Sequence, residues 1–356
     1  MLFARWLKKE RGADVEIWGV AHGGKLTARC EESGIPWRVI GNPFVGGFVK
    51  TLWHLLKIAW CLRKARVDVI LPYTLVPNVI AGFVWRLTGA SLSVWNQRDE
   101  GTEGHREPFE HWAVRLTPLF LANSIAGADY VIHTLLADKN KVSVVHNGIA
   151  LDSPTEDRLV WRQRLKLSDT AVCVAMVANL STKKDHATLI NAWKHLVESL
   201  SPLLGELKLV LAGRFDDAAQ ELIELVKSFC LEEYVVLCGP VHDVAGFLQA
   251  VDIGVYSSTS EGLPNGVIEC MVTGKAIAAT NIPGIREALG DDYTFLSKPG
   301  DHEGMAAHLM TLIHNHELRR KVGWQNRERA LACFDTETMC RKMAGILDAN
   351  LAVNYR

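Results

Sequence analysis

Glu261-Gly-Leu-Pro-Asn-Gly-Val-Ile-Glu269 separates two carboxylates by seven residues across what reads as a strand-to-helix junction. Ahead of it, Asp252-Ile-Gly-Val-Tyr-Ser257 has the short apolar run of a buried strand and ends in Ser257, Ser258, Thr259 and Ser260. Behind it, Pro264 suits the first helical position, where no amide hydrogen is needed, and Gly274 stops a helix that runs to about Thr273. The backbone of Gly262, Leu263, Pro264 and Asn265, leading into a helix N-terminus with its positive dipole end, makes a site for a diphosphate beside Glu261. Glu269 lies more than a turn inside the helix, where a carboxylate accepting two hydrogen bonds suits the vicinal hydroxyls of a ribose. A solvated glutamate plus a favourable charge at a helix start fits the same spacing.

A second strand-loop-helix unit lies earlier, in Val174-Ala-Met-Val-Ala-Asn179-Leu-Ser-Thr-Lys183-Lys184-Asp-His186-Ala-Thr-Leu-Ile190. Loop cations there fit a diphosphate, since a lysine point charge neutralises phosphate oxygens and stabilises charge building on a leaving group. An ordinary basic helix start is the plainer account. A third strand, Val235-Val-Leu-Cys-Gly239-Pro240-Val241-His242-Asp243, runs into a loop where Gly239 permits close approach. Asp243 is a good N-cap and His242 reads as solvent-facing.

Glu261 through Glu269, with the following Gly274-Lys-Ala-Ile-Ala-Ala-Thr280-Asn-Ile-Pro-Gly284-Ile-Arg-Glu287, closely resembles the Glu-x7-Glu signature of retaining GT-B glycosyltransferases, and specifically the glycosyltransferase 4 family (group 1 glycosyltransferases). The resemblance extends from roughly Ala171 to Leu296. It implies an α/β fold of two Rossmann-like, doubly wound domains facing a central cleft. It further implies that Glu261 and Lys184 are catalytic, with Glu261 toward the donor sugar and its phosphates. Glu269 would hold the ribose, Lys183 would add charge, and Gly239 and Val241 would seat the nucleobase. Relatives commonly carry an arginine where this chain has Asn179, so either Arg214 takes over part of that role or the donor is held with less charge.

Strand-like and helix-like runs alternate, with strands expected at Val67–Leu71, Leu92–Trp95, Tyr130–His133, Val142–Val145, Val172–Val177, Leu207–Ala212, Val235–Cys238, Ile253–Tyr256 and Ala276–Ala279. That alternation predicts parallel sheets. Asn147-Gly148 and the polar stretch from Asp152 to Asp157 mark a linker. The expected organisation is an acceptor-side domain over 1–155, a nucleotide-sugar domain over 165–332, and a C-terminal helix over 333–356 that returns toward the first domain. Leu2 to Gly12 reads as a helix and Asp14 to Val20 as the next strand, whereas relatives begin with a strand and a glycine-rich loop. The first strand of the first domain is therefore expected to be missing, with lower stability and activity for the chain as given. On the acceptor side, Asn96, Arg98 and Asp99 follow a strand end, where polar groups orient an acceptor hydroxyl or meet phosphate. Pairing of Arg98 with Asp99, ordering the loop, is the equal alternative. Relatives often carry a histidine here, and the nearest in this chain are His105 and His111.

With 356 residues, 48% of them hydrophobic, the chain can fill two cores, and 39 Lys plus Arg against 40 Asp plus Glu argue against a nucleic-acid partner. Eight cysteines without a Cys-x-x-Cys pair read as reduced, buried thiols of a cytoplasmic protein. No zinc spacing stands out, so metal-independent chemistry without a cofactor is expected. The segment 46–66 is helical in period, with Lys50, His54, Lys57 and Lys64 along one stripe and Trp53 and Trp60 among its apolar residues. It fits a core helix with snorkelling lysines, or peripheral contact with the inner face of a membrane. The expectation is a hexosyl transfer from an NDP-sugar to a saccharide or lipid-linked acceptor, with retention, in cell-surface polysaccharide or glycolipid assembly. The alternatives are a sugar-nucleotide epimerase on the same fold and a degenerate nucleotide-binding subunit.

Overall fold

The computed structural model describes residues 1–21, 24–101, 107–200 and 207–354, which leaves His105 outside the described residues. The chain divides into two compact units, Met1–Gly148 with Thr336–Arg356, and Ile149–Asp335.

In the first unit, β1 (Ile17–Gly19) and β2 (Trp37–Val39) form a small parallel pair. A second parallel sheet runs in chain order through β3 (Val69–Ile70), β4 (Leu92–Gln97), β5 (Leu119–Ala122) and β6 (Val142–Val144). β4 and β5 are buried along their whole length; β5 is wholly apolar, while β4 buries Ser93, Asn96 and Gln97 beside Leu92, Val94 and Trp95. The helix Leu2–Arg11 and the last helix, Thr336–Asn354, cover this sheet together. Phe3, Cys340, Met343 and Leu347 pack on Leu92, Val94, Leu119 and Leu121. At the rim the Trp6 indole donates to Glu337 at 2.8 Å and Arg11 pairs with Asp348 at 2.9 Å.

Two expectations for this unit are corrected. Tyr130–Thr134 is a π-helical turn continuing the helix Ile125–Asp129, not a strand. The Ser124 hydroxyl accepts from the Gly127 amide at 3.1 Å and starts that helix directly at the end of β5, so the apolar run Tyr130 to Ile132 wraps onto the sheet instead of joining it. The Tyr130 ring lies over Gly101, where a Cβ would come within 2.1 Å of it. The helix Phe48–Ala65 is a core helix on one side alone: Ile58 and Ala59 pack against Ile80 and Val84 of the helix Leu75–Thr88, and its opposite apolar side is exposed.

The second unit is built on one six-stranded parallel sheet of β7 (Val172–Val177), β8 (Leu207–Ala212), β9 (Val235–Gly239), β10 (Ile253–Tyr256), β11 (Ala276–Thr280) and β12 (Leu296–Ser297). Its order is β12-β11-β10-β7-β8-β9. The chain winds outward from β7 through β8 and β9, then returns to the other side of β7 for β10 to β12, so the connection reverses between β7 and β10. The helices His186–Ser199 and Asn265–Val272, among others, bury both faces, with Trp193, Leu189, Ile268 and Met271 fully enclosed.

The linker is tied to this unit by two side chains. Arg162, 1% exposed, donates to the carbonyls of Ser168, Ala171 and Ala250 and pairs with Asp252. Asp243 caps the helix Val244–Ala250 through the Gly246 amide at 2.9 Å and also accepts from the Glu156 amide and the Trp161 indole. Burial opposes ionisation of Asp243, but these hydrogen bonds prevail and hold its carboxyl down at about 2. All eight cysteines are free, but Cys230 and Cys333 are exposed, contrary to the expectation of uniformly buried thiols. Among the described residues no helix is long and apolar enough to cross a membrane.

Candidate functional site

In an open parallel sheet, ligands bind outside the carboxyl ends of the strands where the winding reverses, because neighbouring loops diverge there and leave a crevice. Here those strands are β7 and β10. The loop after β7 carries Asn179 and Lys184, and the loop after β10 carries Glu261 and leads into the helix Asn265–Val272.

The two loops are laced together. Thr259 donates through its amide at 2.9 Å and its hydroxyl at 3.2 Å to the Lys183 carbonyl, and the Ser257 hydroxyl donates to the Lys184 carbonyl at 2.9 Å. Those backbone bonds deliver the Lys184 ammonium to Glu261 Oε1, where the two form an ion pair whose side chains are 25% and 14% exposed. The Ser258 hydroxyl donates to the same carboxylate oxygen at 2.8 Å, and Thr280 at the end of β11 holds the Ser258 carbonyl at 2.5 Å. Glu261 therefore meets one cation and one hydroxyl, both fixed from behind.

Two glycines allow this packing. A Cβ on Gly284 would lie 1.8 Å from the Gly262 carbonyl oxygen and 2.6 Å from that of Glu261, so only glycine lets the helix Pro283–Leu289 close on the Glu261 loop. A Cβ on Gly266 would stand 2.5 Å from the Val177 carbonyl oxygen, so the first turn of Asn265–Val272 rests against the end of β7. Pro264 is the N-cap of that helix, with extended backbone, and not its first residue as expected. Gly262, Leu263 and Pro264 are buried while Asn265 is exposed at the first turn of the helix.

Glu269 lies one turn into the helix and is half-buried. The Tyr256 hydroxyl donates to the Gly266 carbonyl at 2.5 Å; burial first, then Cys270, Glu269 and, more weakly, Glu261 push its pKa well up. Tyr256 thus lies within electrostatic reach of both glutamates. His186 opens the helix after Lys184 and is 1% exposed, with no hydrogen-bond partner for either ring nitrogen among the described residues. Burial and the neighbouring Lys184 lower its pKa to about 4, so it is neutral at physiological pH.

Asn179 and Arg214 are neighbours through the backbone: the Arg214 amide donates to Asn179 Oδ1 at 3.3 Å, and the Leu180 amide to the Arg214 carbonyl at 2.8 Å. The Arg214 guanidinium, however, turns to Asp216 at 3.3 Å and is 61% exposed. Gly213 sits against Ala178 and Asn179, and its amide donates to Gly239, which has φ +72° at the end of β9. Val241 is half-buried beyond it.

The acceptor-side candidates lie in the first unit. Asn96 is 2% exposed and donates to the Pro72 carbonyl at 2.7 Å, while its own backbone bonds the Asn78 amide group at both ends. Asp99 accepts from Gln97 Nε2 and the Gly101 amide, each at 2.8 Å. Arg98 reaches Asn147 at 2.6 Å and lies over the Tyr73 ring, and burial lowers its pKa. The sequence gives no role to Ser258, Thr280, Gly266 and Gly284, whose parts depend on chain crossings. Nor does it mark His186, which looks like any polar residue at a helix start. Among the described residues no group of three or more His, Cys, Asp or Glu side chains is placed to hold a metal.

Two parallel α/β units of this topology define the GT-B class of glycosyltransferase. The fold superposes on Anabaena HepE, crystallised with UDP-glucose, with a TM-score of 0.84 and 21% identity over 98% of this chain and 95% of that one. Residues 157–329 match the family Glycosyl transferases group 1 and residues 1–153 match Glycosyltransferase Family 4, and the chain belongs to these group 1 glycosyltransferases. Among its relatives is the Campylobacter jejuni N-acetylgalactosamine-N,N'-diacetylbacillosaminyl-diphospho-undecaprenol 4-alpha-N-acetylgalactosaminyltransferase, 27% identical over 63% of this chain and 58% of that protein. Another is the Escherichia coli UDP-Gal:alpha-D-GlcNAc-diphosphoundecaprenol alpha-1,3-galactosyltransferase, 22% identical over 66% and 63%. The matches span less than two thirds of these relatives' own length.

Proposed function

We propose that this chain transfers a hexosyl group from a nucleoside diphosphate sugar to an acceptor hydroxyl, with retention at the anomeric carbon and without a metal ion or cofactor. The observation that carries this reading is the Lys184–Glu261 pair held in the switch-point crevice beside the first turn of Asn265–Val272. A diphosphate entering there meets an ammonium group and a helix N-terminus, which stabilise the charge that grows on the leaving phosphate as the glycosidic bond breaks. Glu261, already balanced by Lys184 and Ser258, faces the sugar, and Glu269 takes the ribose hydroxyls. The departing phosphate accepts the acceptor's proton on the same face. The α-linkages in the names of both relatives support retention, and their diphospho-undecaprenol acceptors support a lipid-linked acceptor met at the inner face of a membrane. Arg98, half-buried over the Tyr73 ring and bonded to Asn147, suits an acceptor phosphate, with Asn96 and Asp99 shaping its loop.

Thermal-shift screening of UDP-, GDP- and ADP-sugars tests the reading, since a ligand that binds only the folded state raises Tm. A UDP-sugar is expected to raise it, and Lys184→Gln to abolish the rise. No shift with any nucleotide sugar, or a shift unaffected by that substitution, contradicts the site. Turnover of the donor without an acceptor product would point instead to the epimerase alternative.

A further inference from the structure

The helix Phe48–Ala65 presents an apolar face outward. Opposite the buried Ile58, Val49 is 78% exposed, Leu52 49%, Trp53 63%, Leu56 51% and Trp60 60%. At 100° per residue these five fall within about one third of the helix circumference, a continuous stripe and not scattered side chains. Such a face normally turns toward a core, and exposing it to water is costly enough to mark a contact surface.

Its border states what the contact is. Lys50, Lys57 and Lys64 run along one side of the stripe, and the Lys57 and Lys64 ammonium groups each lie 5.4 Å from the indole centroids of Trp53 and Trp60. The segment 46–66 adds Arg63 and Arg66 and holds no Asp or Glu. Five cations with no counter-charge disfavour a second copy of this chain, because a two-fold contact would set like charges against each other. They favour a surface that is anionic and apolar in depth. Indoles at the boundary, a lysine row at headgroup level and a helix unable to span a bilayer describe an interfacial helix.

We propose, resting on the lipid-linked acceptor read above, that the Val49–Leu52–Trp53–Leu56–Trp60 face docks this chain on a bilayer containing anionic lipid. The apolar stripe enters the headgroup boundary and the lysines pair with lipid phosphates, each cation contributing about 1 kcal/mol.

Co-sedimentation with vesicles of equal parts phosphatidylglycerol and phosphatidylcholine, against phosphatidylcholine alone, tests this. The chain is expected to sediment with the anionic vesicles and remain in solution with the neutral ones. A Lys50→Gln/Lys57→Gln/Lys64→Gln variant should bind the anionic vesicles roughly a hundredfold more weakly. A Trp53→Ser/Trp60→Ser variant should bind at least about tenfold more weakly. UDP titration of both variants should match the wild type, which separates failure of docking from failure of the donor site. Equal partition onto both vesicle types, no partition at all, or full binding by both variants overturns the proposal. So does a dimer that the tryptophan variant dissolves, because the face would then join two copies. Should the tryptophan variant not fold, the lysine variant decides the matter.

Discussion

After β4 the chain uses its polar side chains on its own backbone, and after β7 and β10 it sets them against each other. Asn96 bonds the Pro72 carbonyl and Asp99 the Gly101 amide, whereas Lys184 and Glu261 pair across two loops with their supporting hydroxyls behind them. The first arrangement completes hydrogen bonds that a buried turn requires. The second assembles charge at a crevice where folding alone has little use for it, because a partly exposed ion pair adds little stability. Substitutions in the two places should therefore fail in different ways: loss of stability in one, loss of turnover in the other.

The largest effect is expected at Lys184. Lys184→Gln keeps a donor for Glu261 but removes the charge, and kcat/KM should fall about 10²- to 10³-fold with Tm nearly unchanged. A fall in Tm with unaltered kcat/KM would make the pair structural and erase the contrast between the units.

Acid sharpens the comparison from the stability side. His186 has its pKa lowered to about 4 against 6.5 for a free imidazole, so the folded state favours the neutral ring. That stability is fully present above about pH 6.5 and is lost as pH falls through about 4, an effect on the order of 3 kcal/mol. Between pH 7 and pH 4 the wild type should lose Tm relative to His186→Leu, which lacks the titrating ring, so the two Tm-against-pH profiles should separate toward low pH. Parallel curves would show that the ring titrates normally.

Next comes Asn96→Ala, which orphans the buried Pro72 carbonyl and should cost about 2–3 kcal/mol in denaturant unfolding. Donor KM should stay unchanged, and a shift in donor KM would mean that the two regions are not separate in function. The smallest effect is expected at Glu269→Gln, which weakens acceptance from ribose hydroxyls: donor KM should rise about tenfold with kcat held. An equal fall in kcat would move Glu269 from ribose to the reacting centre.

What could be read beforehand follows the same division. β7, β8 and β10 stand at the expected residues because buried parallel strands are mostly apolar runs between polar loops, with Lys208 alone interrupting β8. β5 went unseen because Leu119–Ala122 is only four residues long and follows the helix Glu107–Leu116 after just Thr117 and Pro118. In a short apolar run periodicity does not distinguish strand from helix, and that ambiguity made a strand of the π-helical Tyr130–Thr134. At the site, Lys184 stands in the stretch Val174–Ile190 and Glu261 and Glu269 in the stretch Glu261–Glu269, and the family resemblance, not the spacing, singled them out. Ser258 on Glu261, Thr280 on Ser258 and the bare approach of Gly284 to Gly262 join segments distant in sequence, and no local pattern announces them. The outward face of Phe48–Ala65 was hidden for a different reason: composition gives the stripe, but only packing tells which side of the helix is left uncovered.

The central claim is that Lys184 meets a diphosphate in the crevice between β7 and β10. Isothermal titration of UDP into wild type and Lys184→Gln tests it most directly. The account predicts binding to the wild type and a dissociation constant raised by about a hundredfold in the variant at equal Tm. Identical dissociation constants for the two proteins would contradict it.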